Sequence, residues 1–137
     1  MYLISVYFDH KTNHTLQNYI NRIAAKTGNT FMTDNQVPPH MTISAIEAKS
    51  ADILKPGFNS LRGKIKQGMV SFVSVGELLP HVTMGKQLDK GQMVKALEVM
   101  QECFVPFEAT VTEIGLAKVN PHEDVERFVL GGPKTYE

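Results

Sequence analysis

The sequence predicts an α+β fold of layered sheet and helix, and three observations carry that expectation. Its 137 residues suffice for one domain with a core of its own, spanning 1–137, and are too few for two. Strand-like and helix-like runs follow one another in the order βαβαββαββ, with strands mixed among helices rather than strictly alternating. One short pattern, Pro-His-apolar-Thr-apolar, is written twice, as "PHMTI" from Pro39 and "PHVTM" from Pro80. It falls once in each of two approximate halves, 1–68 and 69–137, which points to internal pseudo-symmetry; a solenoid would need more repeats.

The first run, "YLISVYF" (Tyr2 to Phe8), is β-branched and aromatic, a strand. In the next, Leu16, Ile20, Ile23 and Ala24 recur at helical spacing, with Asn13 as N-cap and Gly28 as stop. Residues Asn29 to Pro39 are polar and end in Pro38-Pro39, which forces an extended entry into a strand from His40 to Ile46. From Ser50 to Ile65 the apolar positions Ile53, Leu54, Phe58, Leu61 and Ile65 are helical in spacing, but Pro56-Gly57 predicts a broken or late-starting helix. Strands are expected over Met69 to Val75 and Leu79 to Met84. Asp89 with Gln92 three residues on forms a capping-box start for a helix bearing Met93, Ala96, Leu97, Met100 and Phe104, ended by Pro106. Phe107 to Val119 reads as a long strand whose apolar parity shifts between Val111 and Ile114, the mark of a bulge. Glu126 to Gly132 is the last strand.

Composition removes several functions. Lys plus Arg and Asp plus Glu number 14 each, so the net charge is zero. Proteins that grip long nucleic acid draw their affinity largely from neutralised phosphates, so a long duplex partner is not expected, whereas a small phosphate ester is. The single cysteine, Cys103, forbids an internal disulfide and is read as a buried spectator, which places the chain in the cytoplasm. The apolar start ends at Asp9 without a basic lead or cleavage site, and is expected to be a strand rather than a leader or a membrane span.

The twin pattern carries the chemistry. In a strand, residues i and i+2 share a face. His40 and Thr42 therefore point one way and Met41 and Ile43 the other, into packing; His81 and Thr83 likewise oppose Val82 and Met84. A half-buried strand alternates in this way by itself, so one copy says little. Two copies in a chain with five histidines say more. If the halves are related by a twofold, both His/Thr pairs converge on one groove. One imidazole can then be held neutral as base and the other protonated as acid across a phosphorus centre, while the threonine hydroxyls hold the non-bridging oxygens. No cofactor is required. Zinc would need three or four ligands, and neither motif holds an acidic residue, so no metal site is expected. His10, His14 and His122 are read as solvated loop or cap residues.

"HMTI" and "HVTM" resemble the two signature tetrapeptides of the 2H (two-histidine) phosphoesterase superfamily, which includes the bacterial 2′-5′ RNA ligase family and the cyclic nucleotide phosphodiesterases of tRNA splicing. The resemblance implies a bilobal α+β fold, with two antiparallel sheets, outer helices and one central groove. It also implies a metal-independent site for 2′,3′-cyclic phosphate or 2′-5′-linked nucleotides and RNA ends. On that match His40 and His81 are acid and base, and Thr42 and Thr83 hold the phosphate. Tyr7, on the less apolar face of the first strand, is the candidate for stacking on a nucleobase, and Lys86 could add charge at the phosphate. The alternative is a nucleotide-binding module that uses the same groove without turnover.

Overall fold

The computed structural model describes residues 1–72, 82–119 and 122–131. In chain order these form β1 (Tyr2–Phe8), α1 (His10–Thr27), α2 (Phe31–Asp34), β2 (Met41–Ile46), α3 (Ala51–Arg62), β3 (Gly68–Phe72), α4 (Lys90–Cys103), β4 (Phe107–Lys118) and β5 (Glu123–Val129). All ladders between named strands are antiparallel and join into one sheet in the order β2-β1-β4-β3, with β5 also on β4. Val111 pairs with Phe8 of β1 and with Gly68 of β3, so those two strands lie on opposite edges of β4. The far edge of β4 thus carries β3 along its first residues and β5 along its last.

The α+β class is as the sequence predicts, but the two halves are interleaved. Among the described residues the strands form one sheet rather than two, because β1 from the first half pairs along its whole length with β4 from the second. The expected strand over residues 69–75 is present as β3; its last positions, and Leu79 to His81 of the second motif, lie outside the described residues.

One face of the sheet is the core. Ile4, Val6 and Phe8 of β1 and Val111, Ile114 and Leu116 of β4 pack against Leu16, Tyr19 and Ile23 of α1, Phe58 of α3 and Ala96, Val99 and Met100 of α4. The expected bulge in β4 is there: Tyr7 faces Glu113 and Phe8 faces Val111, so Thr112 is the extra residue. Asp89 caps α4 in a full capping box with Gln92, and Gly28 closes α1 with φ of 75°.

Four local expectations are corrected. The N-cap of α1 is Asp9, not Asn13: its carboxylate accepts from the Thr12 amide at 2.9 Å, and the helix starts one turn early. Helix α3 is unbroken despite Pro56, because Pro56 and Asp52, whose carbonyl loses its partner, both face solvent while Leu54, Phe58 and Leu61 pack inward. Met93 and Leu97 of α4 are 53% and 46% exposed, whereas Ala96 and Met100 are buried as expected, together with Val99. Ile43, expected in packing, is 48% exposed, since the register of β2 on β1 skips it between Ser44 and Thr42. No helix among the described residues is long and apolar enough to cross a membrane.

Candidate functional site

The site is built on the opposite face of the sheet from α1, α3 and α4, where β1 presents Leu3, Ser5 and Tyr7. The bulge at Ile43 restores the parity of β2 so that Thr42 comes to lie against Ser5, with the two hydroxyl oxygens 3.4 Å apart. Ser5 itself is 1% exposed. His40 follows Pro38-Pro39, and its Nδ1 lies 2.7 Å from the Pro38 carbonyl. A carbonyl can only accept, so Nδ1 carries the proton and Nε2 is the nitrogen that can take one up.

The second motif meets the first through an antiparallel bridge between Met41 and Val82. Val82 and Met84 pack against the core cluster, as their parity predicts. Thr83 and Lys86 reach the same cavity as His40 and Thr42, a space of about 300 Å³. The rest of its lining mixes apolar and polar groups: Leu3 from β1, Val119 just past β4, Phe31, Met32, Asn35 and Val37 from α2 and the turn after it, and His122. The chain takes left-handed conformations at two non-glycine positions on this rim, Gln36 (φ 51°) and Gln87 (φ 57°), each a few residues from a lining group. Of the residues expected from the sequence, the cavity thus gathers His40, Thr42, Thr83 and Lys86; His81 lies outside the described residues.

Tyr7 is a correction. Its ring is 0% exposed and does not line the cavity, so no base can stack on it. The Arg127 guanidinium lies 3.6 Å from the ring centroid, and the ring abuts that of His40 at 6.3 Å. The Tyr7 hydroxyl is buried with no hydrogen-bond partner among the described residues, and burial first, then the nearby Asp124 carboxylate, pushes its pKa up to about 12. Phe31 is the aromatic side chain that the cavity exposes instead.

His122 is the residue that sequence reasoning missed. Far from being solvated, its side chain is 8% exposed and lines the cavity, with its ring 5.8 Å from that of His40. Its Nε2 meets Asp124 at 3.1 Å, and Asp124 in turn lies 3.8 Å from Arg127, which also holds Glu113 at 3.1 Å. A skip at Val125 in the β4–β5 register allows Asp124 and Arg127 to share one face. No spacing in the sequence marks His122. Among the described residues no group of three or more His, Cys, Asp or Glu is placed to hold a metal ion.

No family model and no curated protein matches the chain. Among solved structures it is similar to the crystal structure of E. coli LigT complexed with 3′-AMP, at 14% sequence identity over 95% of this chain and 97% of that one, with a TM-score of 0.47.

Proposed function

We propose that this groove is the active site of a metal-independent phosphoesterase that acts on 2′,3′-cyclic phosphate or 2′-5′-linked nucleotides by two-histidine acid/base catalysis. The observation that carries the reading is convergence. Residues of both copies of the repeated pattern, 41 and more positions apart, line one cavity, joined by the Met41–Val82 bridge. The space is at the lower end of ligand pockets and suits a mononucleotide-sized group. Its lining combines hydroxyls, imidazoles, an amide and an ammonium with apolar side chains, the mixture that a phosphate joined to a nucleoside requires.

In the proposed reaction one histidine takes a proton from the attacking water as its oxygen bonds to phosphorus. The other gives a proton to the departing sugar oxygen as its P–O bond breaks. The protonation of Nδ1 enforced by Pro38 leaves Nε2 of His40 for this exchange. His81 takes the opposing role on its place in the sequence, one residue before Val82. Thr42, Thr83 and Lys86 stabilise the charge that grows on the non-bridging oxygens. A reducing compartment, the cytoplasm, is the proposed setting, since a single cysteine allows no internal disulfide.

The test is a screen of 2′,3′-cyclic mononucleotides and short 2′-5′ oligonucleotides with product identification, run on the native chain and on His40→Ala and His81→Ala. Turnover lost in both variants is the expected result. Nucleotide binding without turnover in the native chain would make the groove a binding module, and neither binding nor turnover would refute the reading.

A further inference from the structure

The α2 side of the cavity has a structure of its own. Phe31 and Asn35 stand one turn apart on and just after α2, and both line the space. The Asn35 amide is held in one orientation: its Nδ2 donates to the Phe31 carbonyl at 2.8 Å, an assignment forced because a carbonyl can only accept. That bond takes one of the two N–H groups of the amide and fixes which way the amide faces. The acceptor half, Oδ1, has no hydrogen-bond partner among the described residues and is not among the atoms sealed from solvent. Met32 and Val37, its neighbours along the chain in this lining, are apolar.

This short helix is also tied to the phosphate end. Asn29 accepts from the Phe31 amide at 3.1 Å and donates to the Gln87 carbonyl at 2.9 Å and to Gln92 of α4 at 3.2 Å. Those bonds fix the start of α2 against the segment that carries Lys86, whose Nζ lies 5.7 Å from the Phe31 ring centroid. An aromatic face, an oriented acceptor and a cation are thus held in one frame.

We propose that Phe31 and Asn35 form a base-reading subsite that selects nucleobases bearing an exocyclic amino group. The proposal rests on the nucleotide reading above. The Phe31 ring stacks on the base, a sequence-tolerant contact that any base can make. Asn35 Oδ1 then accepts from the amino group of adenine or cytosine. Hypoxanthine and uracil replace that amino group by a carbonyl of nearly the same size, so two acceptors meet and the hydrogen bond is lost.

The experiment measures equilibrium binding of inorganic phosphate and of the 3′-monophosphates of adenosine, inosine, cytidine and uridine to the full chain. Adenosine over inosine and cytidine over uridine, each by about tenfold, is the expected order. Asn35→Leu should level both pairs and leave the binding of inorganic phosphate unchanged. Phe31→Leu should weaken all four nucleotides by about tenfold while keeping the amino preference. If Asn35→Leu does not fold, Asn35→Asp, which retains an acceptor, must keep the preference. Equal affinity within both pairs in the native chain, or a preference that survives Asn35→Leu, overturns the subsite and leaves the phosphoesterase reading standing. Failure to bind any nucleotide or inorganic phosphate overturns both.

Discussion

Replacing Tyr7 with phenylalanine should stabilise this protein. The hydroxyl is buried without a partner among the described residues, in a ring that is 0% exposed. A buried polar group left unpaired costs about 1–3 kcal/mol, so deleting it should return about 1 kcal/mol or more after the small void it leaves is counted. The stacking of Arg127 on the ring at 3.6 Å needs only the π-face and is retained. For a chain of this length that gain raises Tm by about 3–5 °C. The difference also depends on pH. Burial raises the Tyr7 pKa from 10.0 to about 12. A group whose folded pKa is raised supports the fold fully below the unfolded value and loses that support as pH rises towards the folded one. Between pH 10 and 12 the unfolded native chain can ionise Tyr7 and the folded chain cannot. The two-unit difference amounts to about 2.7 kcal/mol. Urea melts of the native chain and Tyr7→Phe at pH 7, 10 and 11.5 should therefore show the variant's advantage widening with pH. Since Tyr7 does not line the cavity, turnover of Tyr7→Phe should stay within about threefold of native, far short of the loss when a catalytic group is removed. A variant destabilised at pH 7, or a gap independent of pH, would show that the hydroxyl has a partner and that the buried-orphan account is wrong.

Other outcomes follow from the same geometry. His40→Ala and His81→Ala should each remove about 10²–10⁴ of turnover, with the double variant little worse than either and a bell-shaped pH–rate profile in the native chain. Thr42→Ala should lower turnover by about ten- to a hundredfold and also cost stability, since it leaves the Ser5 hydroxyl 3.4 Å away without its neighbour. Gly115→Ala places a Cβ 2.8 Å from the Tyr7 ring, beneath Arg127, and should cost about 1–3 kcal/mol in a denaturant melt; a neutral result would contradict the packing described. Turnover should survive EDTA, because proton transfer from water to one imidazole and from the other to the leaving oxygen needs no Lewis acid. Binding should depend only modestly on salt, and a steep salt slope with duplex RNA or DNA would refute the small-ligand reading.

What could be read from the chain is what neighbours in sequence decide. The β1 strand, the stop at Gly28, the Asp89–Gln92 capping box and the parity break that marks Thr112 each depend on a few consecutive residues. The convergence of His40, Thr42 and Thr83 was legible because duplication made a long-range contact visible as a repeated local pattern. The errors come from choices made elsewhere in the molecule. Pro56 is tolerated because it falls on the wet side of α3, a side that packing assigns. Ile43 is turned out by a bulge whose only trace is its register against β1. Tyr7 is sealed by Arg127 and Gly115 from strands more than 100 positions away, and His122 enters the site through a turn whose residues spell no motif.

The pairing of β1 with β4 has a consequence for the way the protein is made. During synthesis β1 can take β2 as a neighbour once Ile46 has emerged, but its other edge waits for Lys118. At ordinary ribosomal speeds of roughly 5–20 residues per second, that interval is about 4–14 s. Throughout it one of the most apolar strands of the chain offers an unpaired row of amides and carbonyls, the condition under which strands of separate chains associate. Nascent molecules are thus most vulnerable before β4 arrives. The ladder that ends this exposure also sets Glu113 and Gly115 against Tyr7, the ring that abuts His40, so the ribosome delivers protection from aggregation and the support behind His40 in the same event.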